Sequence, residues 1–288
     1  MRAVFKHEFS SYFTGMIGYL FTGVLLLFVG VFSWVYNFNS KLANFEYALN
    51  GMSMILLLCV PILTMRVLAE ERKQKTDQLL YALPLSMTKI ILGKFLAMLA
   101  LLLIPTGVIA VYPLILSGYG AVSLPTAYGA LLAFFLLACM LLSIGMFLSS
   151  LASNPLISAV LSFGVLLFLY LMSDLSDFVS GSAFGSFAAF AAIVVLLAVL
   201  VWRMTKSVLP AVIGGAVLET GLLGAYLINA SIFEGAFPGL MRSLSPFERY
   251  LSFINGVFDV TSVVFYLTVT VLFVIFTIQV MEKGRWSE

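Results

Sequence analysis

The run Arg66-Val67-Leu68-Ala69-Glu70-Glu71-Arg72-Lys73-Gln74-Lys75-Thr76-Asp77 is the densest charge cluster of the chain, and Gln78-Leu79-Leu80-Tyr81-Ala82-Leu83-Pro84 follows it directly. These residue types suit gripping another molecule better than breaking bonds. Thr76 and Asp77 read as a helix start, a hydroxyl cap followed by a carboxylate on the positive end of the helix dipole. Leu79, Leu80 and Leu83 then form an apolar stripe about one turn long, and Pro84 ends the helix. Ser86 is positioned to cap the next helix, which carries Lys89, Gly93 and Lys94 into an apolar run. The plain alternative is a solvated turn whose Lys and Arg do no more than fix orientation in a membrane. That alternative explains the charges but not three leucines presented between charges and a proline.

Glu219 is the second candidate, the only clear carboxylate deep inside an apolar stretch, flanked by Gly214, Gly215, Gly221 and Gly224. Carboxylates at such depth are costly and usually face a cavity or a partner, and the glycines would let another helix approach closely. One reading makes Glu219 a substrate-contacting or gating group. The other makes it a neutral carboxyl hydrogen-bonded to nearby backbone, since low dielectric disfavours the charge.

Catalytic constellations are missing. No G-x-x-x-x-G-K-[ST] run occurs, and Gly93-Lys94 is followed by Phe95. His7 is the single histidine, and Cys59 and Cys139 both lie in apolar runs, so neither a metal site nor a disulfide framework is expected. The chain is expected to be no enzyme and to hold no cofactor of its own. Its energy source is then a partner or a gradient, and nucleic acid is not an expected ligand.

Composition defines the setting of both candidates. The chain is 62% hydrophobic and only 10% charged, with a mean hydropathy of +1.12, whereas soluble domains are about 25% charged. It is an all-α integral membrane protein, because a long isolated apolar run satisfies its backbone in lipid only as a helix. Eight stretches qualify as spans, at 17–37, 48–66, 92–116, 127–149, 155–173, 185–202, 208–229 and 261–281, with 185–229 open to being a re-entrant or packed pair instead. The first is read as a retained signal-anchor, too long and without the cleavage site of a leader. With the N-terminus inside, 12 of the 15 basic residues fall on the cytoplasmic side; Lys41, Arg242 and Arg249 fall outside. Both termini are therefore expected in the cytoplasm.

Residues 1–16 form a separate interfacial helix, with Val4, Phe5, Phe9, Tyr12, Phe13 and Met16 on one face and Arg2, Lys6, His7, Ser10 and Ser11 on the other. Residues 17–288 make one membrane domain. Within it, 67–91 is the segment carrying the short cytoplasmic helix. The outer loop 230–260 is rich in aromatics and broken by Pro238, Gly239, Pro246 and Gly256, which suits short re-entrant helices.

Together, Pro61-Ile62-Leu63-Thr64-Met65-Arg66, Ala69-Glu70-Glu71-Arg72, Thr76, Leu79-Leu80, Pro84-Leu85-Ser86 and Gly93-Lys94 resemble permeases of the type-2 ABC exporter superfamily, most closely the gliding-motility and copper-insertion type. The runs Ser245-Pro246-Phe247-Glu248-Arg249-Tyr250, Phe253, Gly256-Val257-Phe258-Asp259 and Lys283-Gly284-Arg285-Trp286 agree with the same group. The resemblance implies a permease without a nucleotide site, paired with a second permease, identical or homologous, and with two ATP-binding subunits in a bacterial cell membrane. It makes 76–84 the coupling helix that docks on the ATPase, with Glu70, Glu71, Thr76, Asp77, Leu79, Leu80, Leu83 and Pro84 at the interface. Two departures stand out: Asp77-Gln78 replaces the usual Glu before the leucines, and 185–229 exceeds a six-span core. A gradient-driven secondary transporter or channel remains the alternative, although the spans show neither several ionisable groups nor a repeat. The cargo is not written in the sequence; Phe, Gly and Ser in the spans suit an apolar or amphipathic molecule and suit helix packing equally.

Overall fold

The computed structural model describes residues 1–76, 86–205 and 208–287, and among them every regular element is a helix. In chain order these are α1 (Arg2–Thr14), α2 (Ile17–Ser33), a wider π turn (Trp34–Asn39), α3 (Phe45–Ser53), α4 (Leu56–Thr64) and α5 (Ala69–Lys73). Then come α6 (Met87–Ile109), α7 (Tyr112–Ser117), α8 (Leu124–Leu151), α9 (Pro155–Phe178), α10 (Ala183–Thr205) and α11 (Val208–Ile228). A 3-10 turn (Ala230–Phe233), α12 (Ala236–Leu244), α13 (Pro246–Ile254) and α14 (Val260–Ser287) complete the chain. Two compact units result: Met1–Tyr170 with Arg249–Glu288, and Leu171–Glu248.

A helix stands at each of the eight apolar stretches. Among the described residues, five helical stretches are long and apolar enough to cross a membrane alone, or up to seven if each of two bent pairs counts as one span. One pair is α3 with α4, bent by 51°. The other is the described part of α11 from Val212 with the 3-10 turn and α12, bent by 113°, so the chain folds back at the start of the 230–260 loop. α10 carries only a shorter apolar run, Ala183–Val199. Length and apolarity thus support five to seven crossings.

The first unit is built around α8. Its most apolar stretch is 78% buried, against 17% for α14, so α8 is the axis and α14 faces mostly outward. Small side chains make this possible. A Cβ added at Gly145 would lie 2.5 Å from Thr64 Oγ1 of α4, a separation that only glycine permits. On the other side, Phe147 of α8 meets Phe273 and Phe276 of α14 at ring separations of 5.5 and 6.0 Å, an aromatic packing that adds to simple area burial. α1 lies with Val4, Phe5, Phe9, Tyr12 and Phe13 turned inward and Met16 left 85% exposed. Gly93 of α6 brings that helix against Val4, 3.1 Å from where its Cβ would stand.

Glu219 is not the only carboxylate inside the apolar part. Glu46, in the first turn of α3, is 1% exposed. It lies two residues before the expected start of its span, so a boundary error concealed it. Its Oε2 and the Tyr250 hydroxyl of α13 are both buried without a hydrogen-bond partner among the described residues.

In the second unit α10 and α11 pack side by side, so closely at Gly215 that a Cβ added there would stand 3.1 Å from Ala198 Cβ. Among the described residues, a Cβ added at Gly214, Gly221 or Gly224 would meet nothing within 4 Å, so within this chain only Gly215 of the four has a neighbouring helix that close. Phe187, Phe190, Tyr226, Phe233 and Phe237 form one aromatic cluster below the fold-back. Arg242 of α12 donates to Ser176 Oγ at 3.0 Å and pairs with Asp177, and Ser173 donates to Glu248 at 2.8 Å.

Asp259 starts α14 by accepting the Thr261 and Ser262 N–H groups at 2.9 and 3.2 Å and the Ser262 hydroxyl. Those bonds, the Ser262 hydroxyl first, hold its carboxyl below the usual range. A depressed carboxyl stabilises above its unfolded value and loses that contribution as pH falls through the folded value. Asp259→Ala should therefore fray the start of α14, at a cost of about 1 kcal/mol at neutral pH, while Asp259→Asn should keep the cap. Faster amide exchange over 261–264 in the alanine variant, with the difference shrinking below pH 4, is the expected outcome.

Candidate coupling site

The charge cluster is held by more partners than its sequence indicates. Between α4 and α5 the chain turns, and the first N–H groups of α5 lack partners within the helix, as at any helix start. Ser149 Oγ of α8 supplies one: it accepts from Leu68 N–H at 3.3 Å and Ala69 N–H at 3.1 Å, both buried. A side chain some 80 residues away in sequence thus caps α5.

The centre of the site is Lys94. Its ammonium, on α6, donates to Glu8 of α1 at 2.6 Å, to Glu71 of α5 at 2.7 Å and to the Val67 carbonyl at 3.2 Å. Lys94 is 1% exposed, while the Glu8 and Glu71 side chains keep 17% and 24% of their surface. All three ammonium donors are therefore used, and the ammonium is neutralised by two carboxylates from different helices. Removing Lys94 leaves two partly buried carboxylates facing each other without their cation, which is why such a knot ties elements together strongly even where it adds little net stability.

Around this knot the remaining contacts are weaker. Arg66 and Glu70 form an i,i+4 pair on the exposed side, with Nη2 to Oε1 at 2.7 Å and a second bond from Nε. The Arg66 hydrogen bonds hold the Glu70 carboxyl below its usual range; in solvent such a pair contributes little. Gln74 also donates to Glu70, at 3.3 Å. Tyr12 is 8% exposed beside Glu8, and its phenol is pushed above the usual range by burial first and by the Glu8 and Glu71 charges next.

α5 then stops in an orderly way. Lys75 sits at φ 56°, Lys75 N–H donates to Arg72 O at 3.1 Å, and Thr76 N–H donates to Glu71 O at 2.9 Å. This is a Schellman ending, with lysine where glycine is usual. The Thr76 hydroxyl also turns back to Glu71 O, at 3.2 Å. The chain therefore leaves residue 76 in a direction set by hydrogen bonds.

Of the interface residues read from sequence, Glu70, Glu71 and Thr76 are brought together in this arrangement. Asp77, Leu79, Leu80, Leu83 and Pro84 lie outside the described residues, as does Lys206. Ser86 occupies the N-cap position of α6 but makes no side-chain capping bond, so its expected capping role is not observed. Glu219 belongs to α11 in the other unit. Sequence reasoning missed Glu8 and Ser149, and treated Lys94 as a topogenic charge. The span expected at 92–116 put Lys94 at its edge, whereas α6 starts at Met87 and carries Lys94 about two turns inside.

A model of the ABC-2 family transporter proteins matches residues 35–281, most of the chain. The chain belongs to this family. It is accordingly a multi-pass membrane component of ABC transport, the permease rather than a catalytic subunit. No curated protein and no solved structure gives a match.

Lys94→Met should lower stability by about 3 kcal/mol or more, because Glu8 and Glu71 lose their partner. Adding Glu8→Gln and Glu71→Gln should restore most of the loss. Thermal unfolding in detergent checks this; an unchanged Tm for Lys94→Met alone would mean that the knot does not hold these helices.

Proposed function

We propose that this chain is the permease subunit of an ATP-binding-cassette exporter, driven by a separate ATPase that docks on residues 76–84. The observation that carries this reading is the Lys94 knot, which joins α1, α5 and α6 and fixes the segment leading into 76–84. A docking helix transmits work only if its base does not swing freely. Family membership supplies the transport class, and hydrolysis by a partner is consistent with a sequence that shows no phosphate-binding loop.

The assembly follows the resemblance: two permeases, identical or homologous, with two ATP-binding subunits, in a cell membrane whose lipid covers the exposed apolar faces. The gliding-motility and copper-insertion permeases are the proposed nearest kin. Both termini are assigned to the cytoplasm, with eight crossings, α10 and α11 forming the pair beyond a six-span core. ATP is bound by the partner, and this chain takes no cofactor.

Replacing Leu79 and Leu80 with Asp should leave the permease inserted but separate it from its ATPase. A buried leucine contributes about 1.5–3 kcal/mol, and an unpaired buried charge costs more. Wild-type copurification of the ATPase with this double variant would rule out docking at 76–84.

The topology is tested separately. In a cysteine-free background, single cysteines at 75 and 205 should resist an impermeant reagent in intact cells, and cysteines at 120 and 236 should react. External labelling at 205 would reduce the number of crossings.

A further inference from the structure

Where α1 turns into α2 the chain folds tightly: a Cβ added at Gly18 would stand 2.7 Å from the Tyr12 carbonyl oxygen. Beside this elbow lies a pocket of about 230 Å³, walled by Glu8, Ser11 and Tyr12 of α1, Ile17 of α2, and Arg66 and Glu70 from the segment around α5. Its surface is mostly polar. The space is small for a drug-sized ligand and sufficient for a lipid headgroup. Ile17 opens a membrane-spanning stretch, so the pocket sits where hydrocarbon gives way to headgroups.

Two kinds of group share this pocket. The first kind accepts. Glu8 gives only Oε1 to Lys94; its Oε2 accepts no hydrogen bond among the described residues and is not one of the buried orphan atoms. The Glu8 side chain keeps 17% of its surface. Ser11, one turn further along the same face of α1, is exposed, and its hydroxyl has no partner among the described residues. Tyr12, in the same wall, is 8% exposed and ends in a further hydroxyl without a partner among the described residues.

The second kind donates. Arg66 is exposed and spends Nε and Nη2 on Glu70, which leaves the Nη1 donors of its guanidinium unbonded among the described residues. Its pairing with Glu70 is solvent-exposed and yields to a competing anion at little cost. α2 begins beside it with no side-chain cap and no acidic residue in its first turn. The first N–H groups of that helix lack partners within it and favour an anion.

We propose that this pocket seats the headgroup of a phospholipid bearing a primary ammonium, as in phosphatidylethanolamine. The ammonium rests on Glu8 and Ser11, and the phosphate on Arg66 and the first turn of α2. Leu20, Leu27 and Val31 continue the Ile17 face of α2 and are exposed, giving the acyl chains an apolar track away from the pocket. A trimethylated headgroup carries the same charge but no N–H donor, so it cannot bond the two acceptors. Water-soluble phosphoethanolamine esters share the headgroup chemistry and lack the chains that the exposed face of α2 takes up.

Native mass spectrometry of the full chain in detergent, titrated with dioleoyl phosphatidylethanolamine or dioleoyl phosphatidylcholine, tests this. The ethanolamine lipid should bind about tenfold more tightly, the scale of one hydrogen bond to a charged group. Ser11→Lys places the protein's own ammonium one turn from Glu8 at an exposed position and should bring the two lipids to parity. Arg66→Gln should weaken both lipids alike and keep their ratio. Equal affinity in the wild type, or an unchanged preference in Ser11→Lys, would overturn the proposal. Glycerophosphoethanolamine should fail to displace the lipid at equal concentration; full displacement would give the pocket to a soluble zwitterion and overturn the lipid assignment. No ATPase enters the measurement, so its failure would leave docking at 76–84 untouched, and loss of docking would leave this site untouched.

Discussion

A lysine ammonium with almost no access to water is tolerable only if its charge is matched where it sits. Lys94 meets that constraint with two carboxylates and one carbonyl, Glu8 from α1 and Val67 and Glu71 from the segment around α5. The partners are 86 and 23 residues away in sequence, so satisfying one side chain fixes the relation of α1, α5 and α6. Glu8 then sets the rotation of α1, and Gly93 beside Lys94 sets how closely α1 approaches α6. The Ser149 cap adds α8 to the same junction. Four elements thus converge on a few polar atoms in a unit otherwise held by apolar packing.

This arrangement assigns different physical roles to different charges. Arg66 and Glu70 pair in solvent and can be exchanged at small cost. Glu71 belongs to the same short helix but points at a buried cation, where its loss is expensive. Neighbouring carboxylates that look equivalent in sequence therefore differ in consequence. The Schellman ending at Lys75 extends the order by one more step, so the chain is directed up to residue 76 by hydrogen bonds rather than by propensity alone. In the other unit, α10 and α11 use close glycine packing beside an apolar cleft.

The helical membrane class was legible because composition and unbroken apolar runs leave only one way to satisfy the backbone. Helices also stand at the expected stretches. What the sequence did not reveal was partnership across distance. Lys94 looked like a topogenic charge because nothing near it in the chain is acidic, and Glu8 looked like one residue of an amphipathic face. Glu46 was hidden by a span boundary two residues off, and among the described residues only Gly215 of the four glycines near Glu219 has another helix within 4 Å of an added Cβ. Periodicity reports which face of a helix is apolar; it is silent on which polar group on another helix will meet it. The leucines of 79–83 remain a reading of pattern and resemblance.

The claim on which the account turns is that Lys94 locks α1 to the segment leading into the proposed docking site at 76–84. Spin labels at Ser10 and Lys73, both exposed, allow the distance between α1 and α5 to be read by pulsed dipolar spectroscopy in the reconstituted protein. The account predicts a single narrow distribution in the wild type and a broad one in Lys94→Met, with narrowing recovered when Glu8→Gln and Glu71→Gln are added. A distribution equally narrow in Lys94→Met would contradict it.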